Sequence, residues 1–440
     1  MGDLRQLNRR DLLIYIGRAL ATLPLLGACG CTSCGGGGST VTPPPPTSGI
    51  TEPQLLDDIA SASFQFFWNE APAGTGMVKD RALVDGNDTR TVSSIASTGF
   101  GLTALCIADQ RKLLPTQQLK DRVSATLTFI LNTLPHQNGF FYHFIDMNTG
   151  ARAFNSEVSS IDTAILLCGV LTARQYFNDA TITSLATQIY NRVDWPWMLN
   201  GGTTFSMGWT PESGFLSARW DTYSELMMIY LLAIGSPTNP VPANSWDAFT
   251  RPTLNYQGIS YITTNAPLFI HQFSHAWFDF RSKKDAYANY YDNSVKATQA
   301  HKAFCLSLNS NFSDYTDNLW GITASDSANG YVVWGGPPQS GPIDGSVVPC
   351  ATGGSIPFVP TDCLRVLRYI RDLYPAAWHK YGFVDAFNPL HNWYNPDVIG
   401  IDVGATMLMA ENYRTQFVWQ TFMKNPEVVA AMNKVGFQPA

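Results

Sequence analysis

Two carboxylates stand four residues apart in the segment RWDTYSELMMIY, residues 219–230, where a strongly apolar run begins. The apolar spacing predicts a helix over residues 219–233, so that Asp221 and Glu225 would share one face of its first turns. Like charges destabilise such a face unless it opens on a polar cleft or one carboxyl stays protonated, which is the state that a general acid needs. The pair therefore indicates acid–base chemistry, and Glu225, the deeper of the two in the helix, fits simple capping less well.

Further acids precede or begin apolar helical segments. Glu157 and Asp162 lie in NSEVSSIDTAILLCGVL, and Asp402 lies in GIDVGATMLMAENY. Each acid alone also fits helix capping or compensation of the helix dipole, and Asp162 follows Ser159 at the spacing of a capping box. If the helices surround one axis, their acids converge on a single cleft.

Tryptophans accompany these acids in the segments between predicted helices. Their flat apolar rings with a polar N–H suit sugar rings, whose hydroxyl groups also seek Asp, Asn and Arg side chains. Core packing is the alternative for any single tryptophan. The predicted substrate-binding residues are Trp209, Arg219, Trp220, Asp221, Trp277, Asp279, Arg281, Asp326, Trp334 and Asp402.

Helices must position these groups, because apolar residues recur at three- and four-residue spacings from residue 54 onward. The predicted helices cover about residues 54–68, 94–110, 116–133, 158–177, 180–192, 219–233, 268–280, 286–308, 360–374, 402–415 and 425–435. GFFYHFID, residues 139–146, is the best candidate for a β-hairpin. Long loops before alternate helices predict an all-α fold, a toroid of helical hairpins whose long loops share one mouth.

Several functional classes are disfavoured by composition and motifs. The chain has a net charge of −6 and no basic cluster after its N-terminus, so no nucleic-acid partner is expected. His271 and His275 have the i, i+4 spacing of a zinc pair but lack the glutamate of HExxH, so no metal site is predicted. Nucleotide-binding and serine-hydrolase motifs are missing, and no cofactor is implied.

The first fifty residues have the features of export and tethering. Arg9 and Arg10 precede an apolar stretch that ends in LGAC, where Cys29 is the predicted lipidation site. Residues 1–29 are therefore interpreted as an export signal with a lipobox, with an ordinary signal peptide or a membrane anchor as the alternative. Residues 30–50, rich in Gly and Pro, are predicted to tether one domain, residues 51–440, to a membrane through the lipid alone. An exported lipoprotein facing the periplasm or the cell surface, acting as a monomer, is expected.

A family resemblance extends over about residues 54–437. The segments that carry it are STGFGLTAL, EVSSIDTAILLCGVL, GWTPESGFLSARWDTYSELMMIYLLAIGSP, FIHQFSHAWFDFR, YYDNSVKAT, LWGITASDSANGY and YGFVDAFNP with GIDVGATMLMAENYR. Together they resemble the glycoamylase-like domain of glycoside hydrolase family 144, which includes bacterial endo-β-1,2-glucanases. The resemblance implies an (α/α)6 toroid, no catalytic metal, and hydrolysis of β-1,2-glucan with inversion.

The resemblance also suggests residue roles. Glu225 of RWDTYSE would be the general acid, with Glu212 of TPESG as its rival, and Asp162 or Glu157 would serve the base side. An inverting pair that acts directly stands roughly 6.5–9.5 Å apart, against about 5 Å for a retaining pair. Other readings remain open: a different, glucoamylase-like glucan hydrolase, a non-catalytic glycan-binding surface lipoprotein, or a polysaccharide lyase, which the acidic balance disfavours.

Overall fold

The computed structural model of the protein describes residues 49–264 and 267–440. The expected signal, Cys29 and most of the tether lie outside these residues. The α-helices of the described part are Glu52–Asn69 (α1), Ile95–Gln110 (α2), Thr116–Asn132 (α3), Ser160–Phe177 (α4), Ala180–Asn191 (α5), Trp195–Leu199 (α6), Met227–Gly235 (α7), Phe273–Trp277 (α8), Tyr290–Ser307 (α9), Pro349–Gly353 (α10), Pro360–Leu373 (α11), Gly400–Thr415 (α12), Phe417–Phe422 (α13) and Pro426–Lys434 (α14). Short 3₁₀ helices span Ala243–Asp247, Leu268–His271, Pro375–Ala377 and Pro389–His391.

The helices form two concentric layers, which confirms the predicted (α/α)6 toroid. Six of them, α2, α4, α7, α8, α10 and α12, are buried over most or all of their circumference and form the inner layer. Small and apolar residues on every face allow this burial, whereas an outer helix such as α11 buries only one stripe. The inner layer is therefore the core of the molecule and the support of whatever lies at its ends.

Glycines bring two inner helices into backbone contact. A Cβ atom on Gly169 of α4 would lie 2.1 Å from the carbonyl oxygen of Gly99 in α2, and one on Gly99 would lie 2.4 Å from the carbonyl oxygen of Ile165. No larger side chain fits at either position without moving backbone. We refer to this contact, Gly99 with Gly169, as the glycine seam.

Short antiparallel strands decorate the ends of the helices. They pair Arg81–Leu83 with Asp397–Ile399, Val92–Ser94 with Phe144–Asp146, His136–Gln137 with Phe140–Phe141, Val158–Ser159 with Gly208–Thr210 and that strand with Gly214–Phe215, Thr253–Tyr256 with Ile259–Ile262, Lys283–Lys284 with Gln438–Pro439, Ser325–Ser327 with Gly330–Val332, Trp378–His379 with Gly382–Phe383, and Phe387–Asn388 with Trp393–Tyr394. Three strands, those ending at Ser94, Ser159 and Ile399, run directly into α2, α4 and α12. The N-terminal ends of these inner helices are thus fixed by strand pairing.

Several local predictions differ from the structure. The single helix predicted over residues 268–280 is a 3₁₀ helix, Leu268–His271, followed by the short α8, and α10 was not predicted. The helix predicted over residues 219–233 begins only at Met227, because the backbone before it bonds to other loops: Trp220 N–H donates to Phe205, and the Asp221 carbonyl accepts from Thr250. In the predicted hairpin, Phe140–Phe141 pairs with the preceding residues 136–137, while residues 144–146 pair with Val92–Ser94 instead.

No helix of residues 49–264 and 267–440 combines the length and apolar character needed to cross a bilayer.

Candidate active site

A cavity of about 750 Å³ opens where the strands enter the inner helices. Loop, strand and helix residues from distant parts of the chain form its wall. Those that matter below are Asp80, Arg81, Arg90, His143, Phe144, Phe154, Asp162, Asp326, Tyr331, Trp393, Asn395 and Asp397. Charged groups and aromatic rings share one enclosure, the combination that was predicted for a saccharide cleft.

His143 lies between two buried carboxylates. Its Nδ1 atom is 3.3 Å from Oε1 of Glu157, and its Nε2 atom is 3.7 Å from Oδ2 of Asp162. Burial opposes protonation of this ring, but Asp162, Glu157 and Asp80 outweigh it and raise the pKa of His143 to about 9. The ring is therefore an imidazolium ion at neutral pH. We call His143, Glu157 and Asp162 the histidine triad.

Local backbone contacts explain why the triad forms. The backbone N–H of His143 donates to the carbonyl of Glu157 at 2.9 Å, which places the two side chains next to each other across a strand contact. Ser159 caps α4 by accepting from the N–H of Asp162, and its hydroxyl donates to Oδ2 of Asp162 at 2.6 Å. Asp162 therefore serves both roles considered from the sequence, because it belongs to the helix cap and also lines the cavity.

The triad also has the composition of a cation site, since one possible ligand atom from each residue lies within 4.8 Å of the others. In this arrangement, however, Nδ1 faces Glu157 and Nε2 faces Asp162, so the ring bridges the carboxylates on its two sides. A metal-binding histidine uses one nitrogen for the metal and donates the other N–H to an outer partner. The geometry favours a proton-carrying ring over a ligand.

A second polar cluster surrounds Asp326. Its Oδ2 accepts from Arg81 Nη1 at 2.7 Å and from Asn395 Nδ2 at 3.0 Å. Its backbone N–H donates to Oδ2 of Asp385 at 2.8 Å. Burial, followed by the charges of Asp326 and Asp402, raises the pKa of Asp385 well above its usual range, which favours the neutral form of this carboxyl.

An arginine closes the same wall. Arg90 donates to both oxygens of Asp397, at 2.8 and 2.6 Å, and also to Asp88. This two-pronged pairing ties the loop before α2 to the strand before α12. The charged groups of the cavity wall thus hold one another in place across segments that are far apart in sequence.

Among the predicted site residues, Asp162 and Asp326 line the large cavity. Glu157 is buried and joins through His143. Asp402 lines a smaller cavity of about 20 Å³ together with Asp385, and Ile399 borders both spaces. The acids at the starts of α4 and α12 therefore do approach one region, as expected from their positions in sequence.

Glu225 and Asp221 are not on one helical face, so that part of the prediction is wrong. Glu225 lies in the turn before α7, is only 2% exposed, and accepts at its carbonyl from Ser274 Oγ at 2.7 Å. Asp221 is exposed in the extended segment further back. Neither residue belongs to the wall of the large cavity.

Several predicted sugar contacts are structural groups instead. Trp220 and Trp277 are buried, and their ring N–H groups donate to Ser160 and Thr103. Arg219 bonds to Thr204 and Leu199, and Trp209 packs 5.9 Å from Trp197. None of these four residues lines the large cavity, which corrects the expectation that they face the cleft.

The remaining predicted contacts also lie away from the cavity. Asp279 and Arg281 do not line the large cavity. They bond to each other beyond the C-terminal end of α8, whereas Asp162 lies at the N-terminal end of α4. Trp334 is buried and donates to Ser325 Oγ at 3.1 Å, so it supports the hairpin that carries Asp326. Trp334 thus contributes to the site indirectly.

Glu212, the rival candidate for the acid, is 58% exposed and paired with Arg152 at 2.6 Å. The hydrogen bond from Arg152 lowers the pKa of Glu212. A lowered carboxyl pKa is the opposite of what a general acid requires. Its position therefore corrects that assignment.

Sequence reasoning missed His143, Arg81, Arg90, Asp385 and Phe154. A usable signal for the arginines was KDRALVDGNDTR, residues 79–90, where six of twelve residues are charged in a chain with 14% charged residues. His143 and Asp385 had no such signal, because each stands as a single polar residue among apolar ones in YHFI and FVDAF.

Comparison with known proteins gives consistent relatives. Residues 217–426 match the family model described as "Glycoamylase: Putative glucoamylase". The exo beta-1,2-glucooligosaccharide sophorohydrolase (non-reducing end) of Parabacteroides distasonis is 26% identical over 429 residues, covering 88% of this chain and 58% of that protein. The chain therefore spans less than two thirds of the length of this relative.

Solved structures extend the similarity to the fold. An endo-beta-1,2-glucanase from Chitinophaga pinensis, in complex with sophorotriose and glucose, superimposes with a TM-score of 0.80 at 26% identity, covering 89% of this chain and 99% of that one. A beta-1,2-glucanase from Parabacteroides distasonis gives a TM-score of 0.82 at 25% identity, covering 88% of this chain and 60% of that one. With the sequence motifs and the toroid, these similarities show a glycoamylase-like domain, matched by the family model over residues 217–426, and a fold similar to that of β-1,2-glucanases.

Proposed function

We propose that this protein is a glycoside hydrolase that cleaves β-1,2-glucan within the chain and with inversion at the anomeric carbon. The observation that carries the proposal is the cavity of about 750 Å³ in which carboxylates and aromatic rings meet at the N-terminal ends of inner helices. A cleft of this composition suits a sugar chain. The β-1,2 linkage is supported by the two β-1,2-glucanases and the sophorohydrolase described above.

Asp162 is the proposed group on the base side of the reaction. Its carboxylate borders the cavity, and Ser159 fixes its orientation with a 2.6 Å hydrogen bond. Glu157 stands on the far side of the His143 ring and helps to hold that ring protonated. A base must present an oriented acceptor to the attacking water or to a substrate hydroxyl, and Asp162 meets that requirement.

Glu225 is the proposed proton donor. It lies just before α7, as Asp162 lies at the start of α4, so both belong to N-terminal ends of inner helices. Its side chain is nearly fully buried. Because Glu225 lies outside the wall of the large cavity, the assignment requires that the turn carrying Glu225 moves, or that the substrate moves toward it.

The test is incubation of the purified protein with linear β-1,2-glucan and with β-1,3-, β-1,4- and α-1,4-glucans. Reducing ends report turnover, and the anomer first formed, followed by NMR, reports inversion. Asp162→Asn and Glu225→Gln should each lower kcat by roughly 10²-fold or more. Asp221→Asn is the matched control, because it removes an exposed carboxylate from the same segment as Glu225.

Each outcome decides a separate part of the proposal. Turnover of another glucan alone would refute the β-1,2 linkage, and binding without turnover would identify a glycan-binding protein. A rapid fall in polymer length indicates internal cleavage, whereas release of sophorose from intact polymer would refute it. Full activity in Glu225→Gln would remove that residue from the mechanism.

We also propose that the protein is exported and anchored through a lipid on Cys29, and that it acts as a monomer. Arg9, Arg10, the LGAC sequence and the Gly/Pro-rich residues 30–50 support the anchor. The full chain expressed with labelled fatty acid should carry the label and sediment with membranes, and Cys29→Ser should abolish both. Light scattering of the detergent-solubilised protein tests the oligomeric state.

A further inference from the structure

Phe154 is an exposed aromatic residue at the edge of the cavity. It is 55% exposed and lines the cavity, whereas the other large hydrophobic residues of comparable exposure in the described chain, among them Tyr287 and Leu373, lie elsewhere. Its backbone has a φ of +54°, and Asn155 follows with a φ of +49°. Left-handed backbone is unfavourable for a bulky side chain, and exposure forfeits the gain from burying the ring.

An arginine holds this turn in place. Arg152 donates from Nε to the carbonyl of Ser156 and from Nη2 to the carbonyl of Asn155, both at 2.6 Å. Glu212 in turn accepts from Nη1 of Arg152 at 2.6 Å and from Nη2 at 3.1 Å. Arg152 thus satisfies the carbonyl groups of Asn155 and Ser156, and Glu212 holds Arg152 in place; we call Arg152 and Glu212 the turn clamp.

The ring is also aligned with the histidine triad. Phe154 meets Phe144 edge to face, with ring centroids 5.8 Å apart, and Phe144 stacks on His143 at 3.8 Å. The three rings form a continuous row from the exposed edge of the cavity to the buried carboxylates. Phe154 is therefore fixed relative to Asp162 although it projects from a loop.

We propose that Phe154 is a stacking platform for a glucose unit of the substrate away from the cleavage point, and that the turn clamp positions it. The inference rests on the proposed function, since it assumes a glucan in the cavity. The C–H face of a pyranose ring packs on an aromatic ring, and the strained, exposed placement of Phe154 has no role in the core. A platform at the edge contacts only chains long enough to reach it.

The platform predicts an effect that depends on substrate length. With β-1,2-gluco-oligosaccharides of increasing length, Phe154→Ala should raise KM about tenfold for the longer ones, with a much smaller change in kcat. Phe154→Trp, which keeps a flat ring, should restore a low KM. Leu373→Ala is the control, because Leu373 is equally exposed, at 55%, but lies at the end of α11.

The turn clamp is tested by coupling. Glu212→Gln should raise KM for the longer oligosaccharides in the parent protein and have no additional effect in a Phe154→Ala background. Equal and additive effects in both backgrounds would show that Glu212 acts independently of the platform, and would overturn that part of the inference.

A binding measurement separates this inference from the proposed function. Calorimetry with Asp162→Asn, which limits turnover, should show about tenfold weaker binding of a long β-1,2-gluco-oligosaccharide when Phe154→Ala is added. Equal affinities, or a loss that is the same at every length, would overturn the platform. If the parent protein cleaves only another glucan, the proposed linkage fails, and the same comparison made with oligosaccharides of that glucan decides on the platform.

Discussion

Nε2 of His143 lies 3.7 Å from Oδ2 of Asp162, in a setting where the ring has another carboxylate on its opposite side. A buried cation between two buried anions is stable only as a complete set, because loss of one member leaves a charge without compensation. The charge state of His143 therefore couples the cap of α4 to the loop that carries the ring.

Stability should depend on this charge. The pKa of His143 rises from 6.5 to about 9 on folding, so its contribution is complete below about pH 6.5 and is lost as pH rises through 9. The full contribution is on the order of 3 kcal/mol. Urea unfolding of the parent protein and of His143→Gln from pH 6 to 10 should show a stability difference that shrinks with pH. A constant difference would contradict a protonated ring.

His143 should also affect activity without contacting the glycosidic bond that is cleaved. His143→Gln keeps hydrogen-bonding groups but lacks the positive charge, so Asp162 and Glu157 should repel each other and lose their fixed geometry. We expect kcat to fall by about 10- to 100-fold, with KM changed less, in assays at pH 6. If circular dichroism shows that the variant is fully folded and its kcat is unchanged, His143 has only a stabilising role.

Asp385→Asn should be tolerated, because the raised pKa of Asp385 favours a neutral carboxyl, which an amide resembles. The amide oxygen can accept from the Asp326 N–H and from Asn395 as Oδ2 now does. A raised folded pKa means that Asp385 contributes most at acid pH and progressively less as pH rises through that pKa, a loss that asparagine avoids. The variant should therefore gain stability relative to the parent from pH 5 to 9, as thermal unfolding can measure. A relative loss over this range would indicate an ionised Asp385.

The glycine seam should be intolerant of a methyl group. Gly169→Ala would set a Cβ 2.1 Å from the Gly99 carbonyl oxygen, and we expect a loss of about 3 kcal/mol in the free energy of unfolding. Gly74→Ala is the matched control, because its Cβ would meet nothing within 4 Å. Equal stability of the two variants in urea would show that α2 and α4 can separate at little cost.

The sequence predicted three inner helices closely, α2, α4 and α12, but not the bounds of α7 and α8 or the presence of α10, and it predicted the site only partly. All-round apolar runs such as TAILLCGVL are local signals, as is an acid at a helix start, so α4 and Asp162 could be located. Arg81 and Asp326, by contrast, are 245 residues apart, and only the closed ring brings them within 2.7 Å. The apolar pattern of residues 219–233 was misleading because it does not reveal which backbone groups bond to other loops.

Three strands continue without interruption into α2, α4 and α12, so the residues at these junctions have no hinge of their own. The floor of the cleft, with Asp162, is consequently a rigid template to which a sugar chain must conform. Changes in sequence are accommodated more easily at the rim, where loops carry Phe154 and the hairpin of Asp326. A new substrate preference could therefore arise by exchanging rim segments while the chemistry below remains unaltered.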